Sequence, residues 1–203
     1  MVFIGKRIAL ITGSTRGVGL SISKKLLELG NKVIITGKNK DLLMKTKEKL
    51  CENYEENNIY TQVCNLRYSE EIDILYNDCI NNFGNIDILI NNAGTLNIKN
   101  IKDISNKEFN ILNNINYHAP FLLTQKVLPS MIENKYGRII FHSPPLNYYN
   151  NYYKMTPYLI SKYQMSYLSL FLSNQFKNQN ITFNTVWPKK ALATDAVMSR
   201  QIG

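Results

Sequence analysis

Three groups of residues in this chain have types and spacings that suit chemistry. Tyr158 and Lys162 lie four positions apart, a spacing that puts both side chains on one face of a helix. A free phenol titrates near ~10 and a neighbouring ammonium favours its ionised form. Such a pair can give a proton to a carbonyl oxygen or take one from an alcohol. With 13 Tyr and 19 Lys in the chain, roughly one Tyr-x-x-x-Lys is expected by chance, so its weight comes from its place at the start of a long helical segment. The second group is Thr12-Gly13-Ser14-Thr15-Arg16-Gly17-Val18-Gly19. Its glycines, set between a strand and a helix, permit a tight turn and close backbone approach to a pyrophosphate, and the helix N-terminus adds free N–H groups and a positive dipole end. The third is Thr36-Gly37-Lys38-Asn39. It has no acid to accept from a ribose 2′-hydroxyl, whereas Lys38 together with Arg16 suits a 2′-phosphate.

These groups need elements to position them. Arg7–Thr12 is a continuous apolar strand of the kind buried on both faces of a parallel sheet. Val18, Ile22, Leu26 and Leu29 recur at helical spacing before Gly30, a C-terminal capping residue. The alternation continues with a strand at Lys32–Thr36, a helix at Lys40–Leu50, a strand at Ile59–Cys64, a helix at Ser69–Phe83 and a strand at Ile86–Ile90. A helical stretch runs from Ser105 to about Glu133, with a kink or break predicted at Pro120. Arg138–His142 is the fifth strand, Tyr158–Phe176 a long helix and Ile181–Trp187 the sixth strand. Asn147–Tyr153 reads as a surface loop, and Pro188–Gly203 as weakly helical. Strict alternation predicts an α/β fold, a doubly wound parallel sheet in one domain spanning 1–203.

Composition narrows the function classes. The chain has 203 residues, 44% hydrophobic and 19% charged, enough for one substantial core. No run approaches the length of a membrane-spanning helix, and no leader pattern precedes the first strand. Cys51, Cys64 and Cys79 have no paired spacing, which predicts an intracellular, reducing compartment without a disulfide framework or metal site. The formal charge is +9, and residues 104–203 carry 10 basic against 3 acidic groups. The cations are scattered singly, however, among 27 Asn, 19 Lys and 13 Tyr, the bias of an A/T-rich coding sequence. A nucleic-acid partner is therefore not predicted.

TGSTRGVG at 12–19, Asn91-Asn92-Ala93-Gly94 after the fourth strand and Tyr158-Leu159-Ile160-Ser161-Lys162 opening a helix come in one order. In that order they resemble the short-chain dehydrogenase/reductase family. The resemblance covers almost the whole chain. It implies a Rossmann-type fold and hydride transfer between a nicotinamide and a carbonyl or alcohol substrate. Tyr158 would be the proton donor and acceptor, and Lys162 would also bind the nicotinamide ribose. Gly13 to Gly19, with Ser14, Thr15, Arg16, Gly17 and Val18 between them, would hold the pyrophosphate. Asn65 would meet the adenine, and Asn92, Ala93 and Gly94 would support the adenine-side ribose and the central strand. With Lys38 and Arg16 in place of an acid, the cofactor expected is NADP(H).

Asn116 is implied as the family's catalytic asparagine, placed by Phe121, Thr124-Gln125, Pro129 and Met131 downstream. The family's substrate-binding hydroxyl falls on Pro144, with Ser143 one residue early. Adjacent residues of an extended chain point to opposite sides, so Ser143 is the candidate catalytic hydroxyl on the condition that the Ser-Pro-Pro turn redirects it toward the substrate. His142 reads as a strand residue. Trp187-Pro188-Lys189 replaces the family's usual Pro-Gly, and the resemblance implies six strands here, with the family's seventh expected to be missing. The Tyr158–Phe176 helix carries no charge between Lys162 and Lys177 and is apolar on more than one face. That predicts a homodimer or homotetramer through it. Two readings follow: an NADP(H)-dependent oxidoreductase, or a catalytically weak, nucleotide-binding and oligomerising member of the family.

Overall fold

The computed structural model describes residues 6–146 and 155–188. The surface loop expected over 147–153 and the weak helix expected over 188–203 fall, apart from Pro188, outside the described residues. Six strands form one parallel sheet in the order β3-β2-β1-β4-β5-β6. They are β1 (Ile8–Ile11), β2 (Lys32–Gly37), β3 (Ile59–Val63), β4 (Ile88–Asn91), β5 (Gly137–His142) and β6 (Ile181–Val186). All six expected strands are present, with ends shifted by one or two residues. At β4 the shift has a cause: the Asp87 carboxylate accepts from the Ile8 amide at 3.0 Å and pairs with Arg7, so Asp87 anchors the strand's start.

The helices are α1 (Gly17–Glu28), α2 (Lys40–Cys51), α3 (Ser69–Phe83), α4 (Asn106–Asn113), α5 (Ala119–Glu133) and α6 (Thr156–Gln175). Helices α1 and α2 cover one face of the sheet, packing Leu27, Leu43 and Leu50 on Ala9, Ile11, Val33 and Ile35. Helices α3, α5 and α6 cover the other, where Leu75, Leu123, Val127 and Met165 meet Leu10, Ile34, Leu89 and Phe141. Because successive strand side chains point to opposite faces, the central strands are apolar throughout, which is why they stand out in the sequence. Gly30 closes α1 as expected: its N–H reaches Leu27 O and that of Asn31 reaches Leu26 O, a Schellman pair.

The stretch from 105 to 133 corrects one expectation. Ser105 and Glu108 form a capping box at the start of α4. Pro120 does not break the helical run, which passes without interruption from a π turn into α5, the ladder being already widened directly before the proline that cannot donate to it. The irregularity lies just upstream. Residues Asn114–His118 form a π turn, with the Ala119 N–H bonded to Asn114 O.

Every loop singled out in the sequence follows the C-terminal end of a strand. Since the strands are parallel, those loops gather along one edge of the sheet. The strand order reverses between β1 and β4, the place where open α/β sheets form their ligand crevice.

Candidate active site

The glycine loop is built from close contacts. Gly13 adopts φ +63, a left-handed conformation that glycine takes without strain, and a Cβ there would fall 3.0 Å from Ala93 Cα. A Cβ at Gly19 would lie 2.5 Å from Gly13 O and 2.6 Å from Asn92 Nδ2. Asn92 donates from Nδ2 to Thr12 O and Gly13 O at 2.9 and 3.1 Å, and its N–H, like that of Ala93, donates to Thr12 Oγ1. Asn92 and Ala93 thus shape the loop from β4. Thr12, which opens the motif but was assigned no role there, is the hub of this link.

Ser14 does not fit the role expected of it. It is fully buried, its hydroxyl donates to Ile11 O at 2.7 Å and accepts the Thr36 N–H, and its own N–H is given to Thr36 O. Its hydroxyl and N–H tie the loop to β1 and β2 and are not turned toward the crevice. Helix α1 begins with no side-chain cap and no acid in its first turn, so its leading N–H groups face the crevice as anion donors. Arg16, at the helix N-cap, and Lys38, at the end of β2, are exposed beside them. Asn65 accepts the Arg67 N–H at its Oδ1, and the Glu71 carboxylate holds the Asn65 amide at 2.6 Å.

The second half of the site is built by the π turn and α6. Asn116, fully buried in the π turn, accepts the Thr95 N–H at 2.8 Å and donates to Thr95 O and Ser161 Oγ, both at 2.9 Å. Ser161 in turn donates to Tyr158 O at 2.7 Å. Lys162 is 3% exposed, and its ammonium donates to His142 O at 3.0 Å. A Cβ at Gly94 would sit 3.0 Å from Lys162 Nζ and 3.4 Å from Asn116 Oδ1. Gly94, Asn116 and Lys162 therefore converge, and Tyr158 stands one helical turn before the lysine in α6. Burial pushes the Lys162 ammonium down from the usual lysine range to about 8. Burial first, and the Lys162 cation second, hold His142 down to about 4. The imidazole is neutral at neutral pH and packs against Trp187 with ring centroids 5.5 Å apart.

Ser143 is placed elsewhere. It is fully buried, its hydroxyl donates to Lys162 O at 2.7 Å, and it also contacts the Ser166 hydroxyl. It is joined to α6 by these contacts, and the substrate-facing orientation expected of a catalytic hydroxyl is not what the geometry gives. Sequence reasoning also missed Ser161 and Ser166. Their available signal was the run of serines at 161, 166 and 169, the small residues on the buried side of an otherwise bulky helix.

The parallel sheet, the glycine loop and the Tyr158–Lys162 helix together define a nucleotide-binding oxidoreductase fold. Residues 7–202 match the short chain dehydrogenase family model, and the chain belongs to that family. Among curated relatives, Homo sapiens hydroxysteroid dehydrogenase-like protein 2 is 31% identical over 193 residues, covering 92% of this chain and 46% of that protein. The chain thus spans about half the length of that relative. The 3-oxoacyl-(acyl-carrier-protein) reductase of Rickettsia typhi is 34% identical over 201 residues, covering 98% of this chain and 79% of the reductase. Among solved structures, a metagenomic short-chain oxidoreductase in complex with NADP aligns at TM-score 0.85 and 26% identity, over 93% of this chain and 84% of that one. An actinorhodin polyketide ketoreductase variant with NADPH aligns at TM-score 0.88 and 25% identity, over 97% and 75%.

Proposed function

We propose that this chain is an NADP(H)-dependent oxidoreductase that interconverts a carbonyl and an alcohol. The observation that carries the reading is the buried Lys162 ammonium, set against Gly94, Asn116 and His142 O one helical turn beyond Tyr158. The crevice fits a dinucleotide: the glycine cradle leaves no room for a side chain at Gly13 or Gly19, and the α1 N-terminus is uncapped. A bound nicotinamide would supply or accept the hydride. Gly13, Thr15, Gly17, Val18 and Gly19 would line the pyrophosphate, and Arg16 and Lys38 would bind the 2′-phosphate. Asn65 would meet the adenine, and Gly94 and Lys162 the nicotinamide ribose.

At the reacting end, Tyr158 holds the proton exchanged with the substrate oxygen. The Lys162 cation favours the phenolate, and the Asn116–Ser161 hydrogen bond fixes the second turn of α6 on the π turn. A fluorescence titration of the purified chain with NADPH and NADH tests the cofactor half, followed by turnover on a panel of ketones, aldehydes and alcohols. Tight, NADPH-selective binding supports it. Absence of binding to either by a folded chain refutes it.

One observation favours a second reading, of a nucleotide-binding member with weak catalysis: Ser143 has its hydroxyl committed to α6. Binding without turnover on the panel would select it. Under either reading we propose self-association through α6. Ile160, Tyr167, Leu170 and Phe171 are exposed on that helix, the last by 65%, and Leu168, Leu172 and Phe176 line a groove between α6 and α5. Sedimentation of the wild type against Phe171→Glu reads this directly.

A further inference from the structure

We propose that Ser143 and Ser166 are positioning residues that clamp the exit of β5 to α6 and so hold Lys162 and Tyr158 in register, a role that rests on the oxidoreductase reading above. Three consecutive residues leaving β5 are each tied to the helix. His142 O accepts from Lys162 Nζ at 3.0 Å, Ser143 Oγ donates to Lys162 O at 2.7 Å, and Pro144 O accepts from the Ser166 hydroxyl. The two serine hydroxyls also touch each other. From the other side, the Ser143 N–H is bonded to Val186 O of β6 at 3.1 Å.

Both serines are buried, Ser143 completely and Ser166 to within 3%. Lys162 and Ser166 stand four apart on α6, so the clamp grips two successive turns of the face that carries Tyr158 one turn further back. Ser143 has no hydrogen-bonding capacity turned toward the crevice. Pro144 brings no hydroxyl and no N–H, and its carbonyl is taken. The hydroxyl at this strand exit orients the catalytic helix, and Tyr158 is left to meet the substrate oxygen.

The test uses the full chain with Ser143→Ala, Ser166→Ala and the double variant, each checked for folding by thermal unfolding. Acetylation of Lys162 by acetic anhydride, mapped by mass spectrometry against the exposed Lys40 and Lys45, reports how often α6 lifts from β5. Each single variant is expected to raise the Lys162 rate about fivefold, the effect of losing one buried hydrogen bond. The double variant should exceed neither single variant by more than about twofold, because the two residues act as one unit. NADPH affinity is expected to fall in parallel. A Lys162 rate equal to wild type in both single variants overturns the clamp. So does a Ser143→Ala loss of turnover with normal labelling while Ser166→Ala behaves as wild type, which would return Ser143 to the substrate. If Ser143→Ala does not fold, Ser166→Ala alone decides, since it removes the Pro144 link and the contact with the Ser143 hydroxyl while leaving the Ser143–Lys162 bond in place. Labelling needs no cofactor, so a wild type that binds no NADPH would defeat the oxidoreductase reading while the clamp is still read.

Discussion

Arg16 and Lys38, beside the glycine loop, hold their charges in solvent, whereas Lys162, on α6, is 3% exposed. The two ends of one crevice use cations differently. In water a cation serves to recognise an anion that arrives with its own charge. In the interior, the cost of desolvation draws the ammonium to about 8, close enough to neutrality that its protonation responds to its neighbours. The first end is suited to choosing a ligand and the second to moving a proton. The first also spends its polar side chains on itself, through Thr12, Ser14 and Asn92, so that in the function proposed above selection falls to backbone N–H groups and two exposed side chains.

The contrast can be broken at four points. Tyr158→Phe removes the proton carrier and should lower turnover by at least about a hundredfold while leaving NADPH affinity within about twofold of wild type. Unchanged turnover would place the chemistry elsewhere. Lys162→Met tests the buried charge itself. The folded-state value lies below that of an unfolded lysine, so the burial cost is fully present below pH 8 and disappears as pH rises from about 8 to 10.5. Wild type should therefore gain on Lys162→Met by about 3 kcal/mol across that window, read by denaturant unfolding at several pH values. A gap that stays constant with pH would mean the ammonium is solvated.

At the other end, Gly19→Ala forces a methyl onto Gly13 O and Asn92 Nδ2. A loss of about 1–3 kcal/mol in stability is expected, together with weakened dinucleotide binding by titration. The smallest effects belong to the solvated cations. Arg16→Ala and Lys38→Ala should each weaken NADPH about three- to tenfold, an effect that shrinks with added salt, and should leave NADH almost unchanged. Equal losses for both dinucleotides would erase the distinction between the two ends.

The sheet was legible because its central strands are apolar on both faces and its helices apolar on one, and both are local patterns. The glycine loop and the place of Asn116 beside Lys162 came from the family resemblance that the motif order carries, whereas the strand order came only with the structure. The finer site was not legible. Ser14 lies inside the glycine motif, yet its hydroxyl bonds to Ile11 O and receives the Thr36 N–H, a partner 22 residues away that no spacing announces. Ser143 and Ser166 find each other across 23 residues and two elements. Pro120 marked the neighbourhood of an irregularity, but that it is a π turn at Asn114–His118, directly before the proline, was not legible.

That π turn has a consequence for how this chain tolerates insertions and deletions. An i to i−5 bond, such as Ala119 N–H to Asn114 O, closes a turn that holds one residue more than a regular helical turn. Deleting a single codon within 114–118 would mend the hydrogen-bond ladder and give a smoother helix. It would also swing everything on one side of the cut by about 100°, carrying Asn116 away from Thr95 and Ser161 or α5 away from its seat on the sheet. The irregular helix is the working one, and a repair that improves local geometry would disable it.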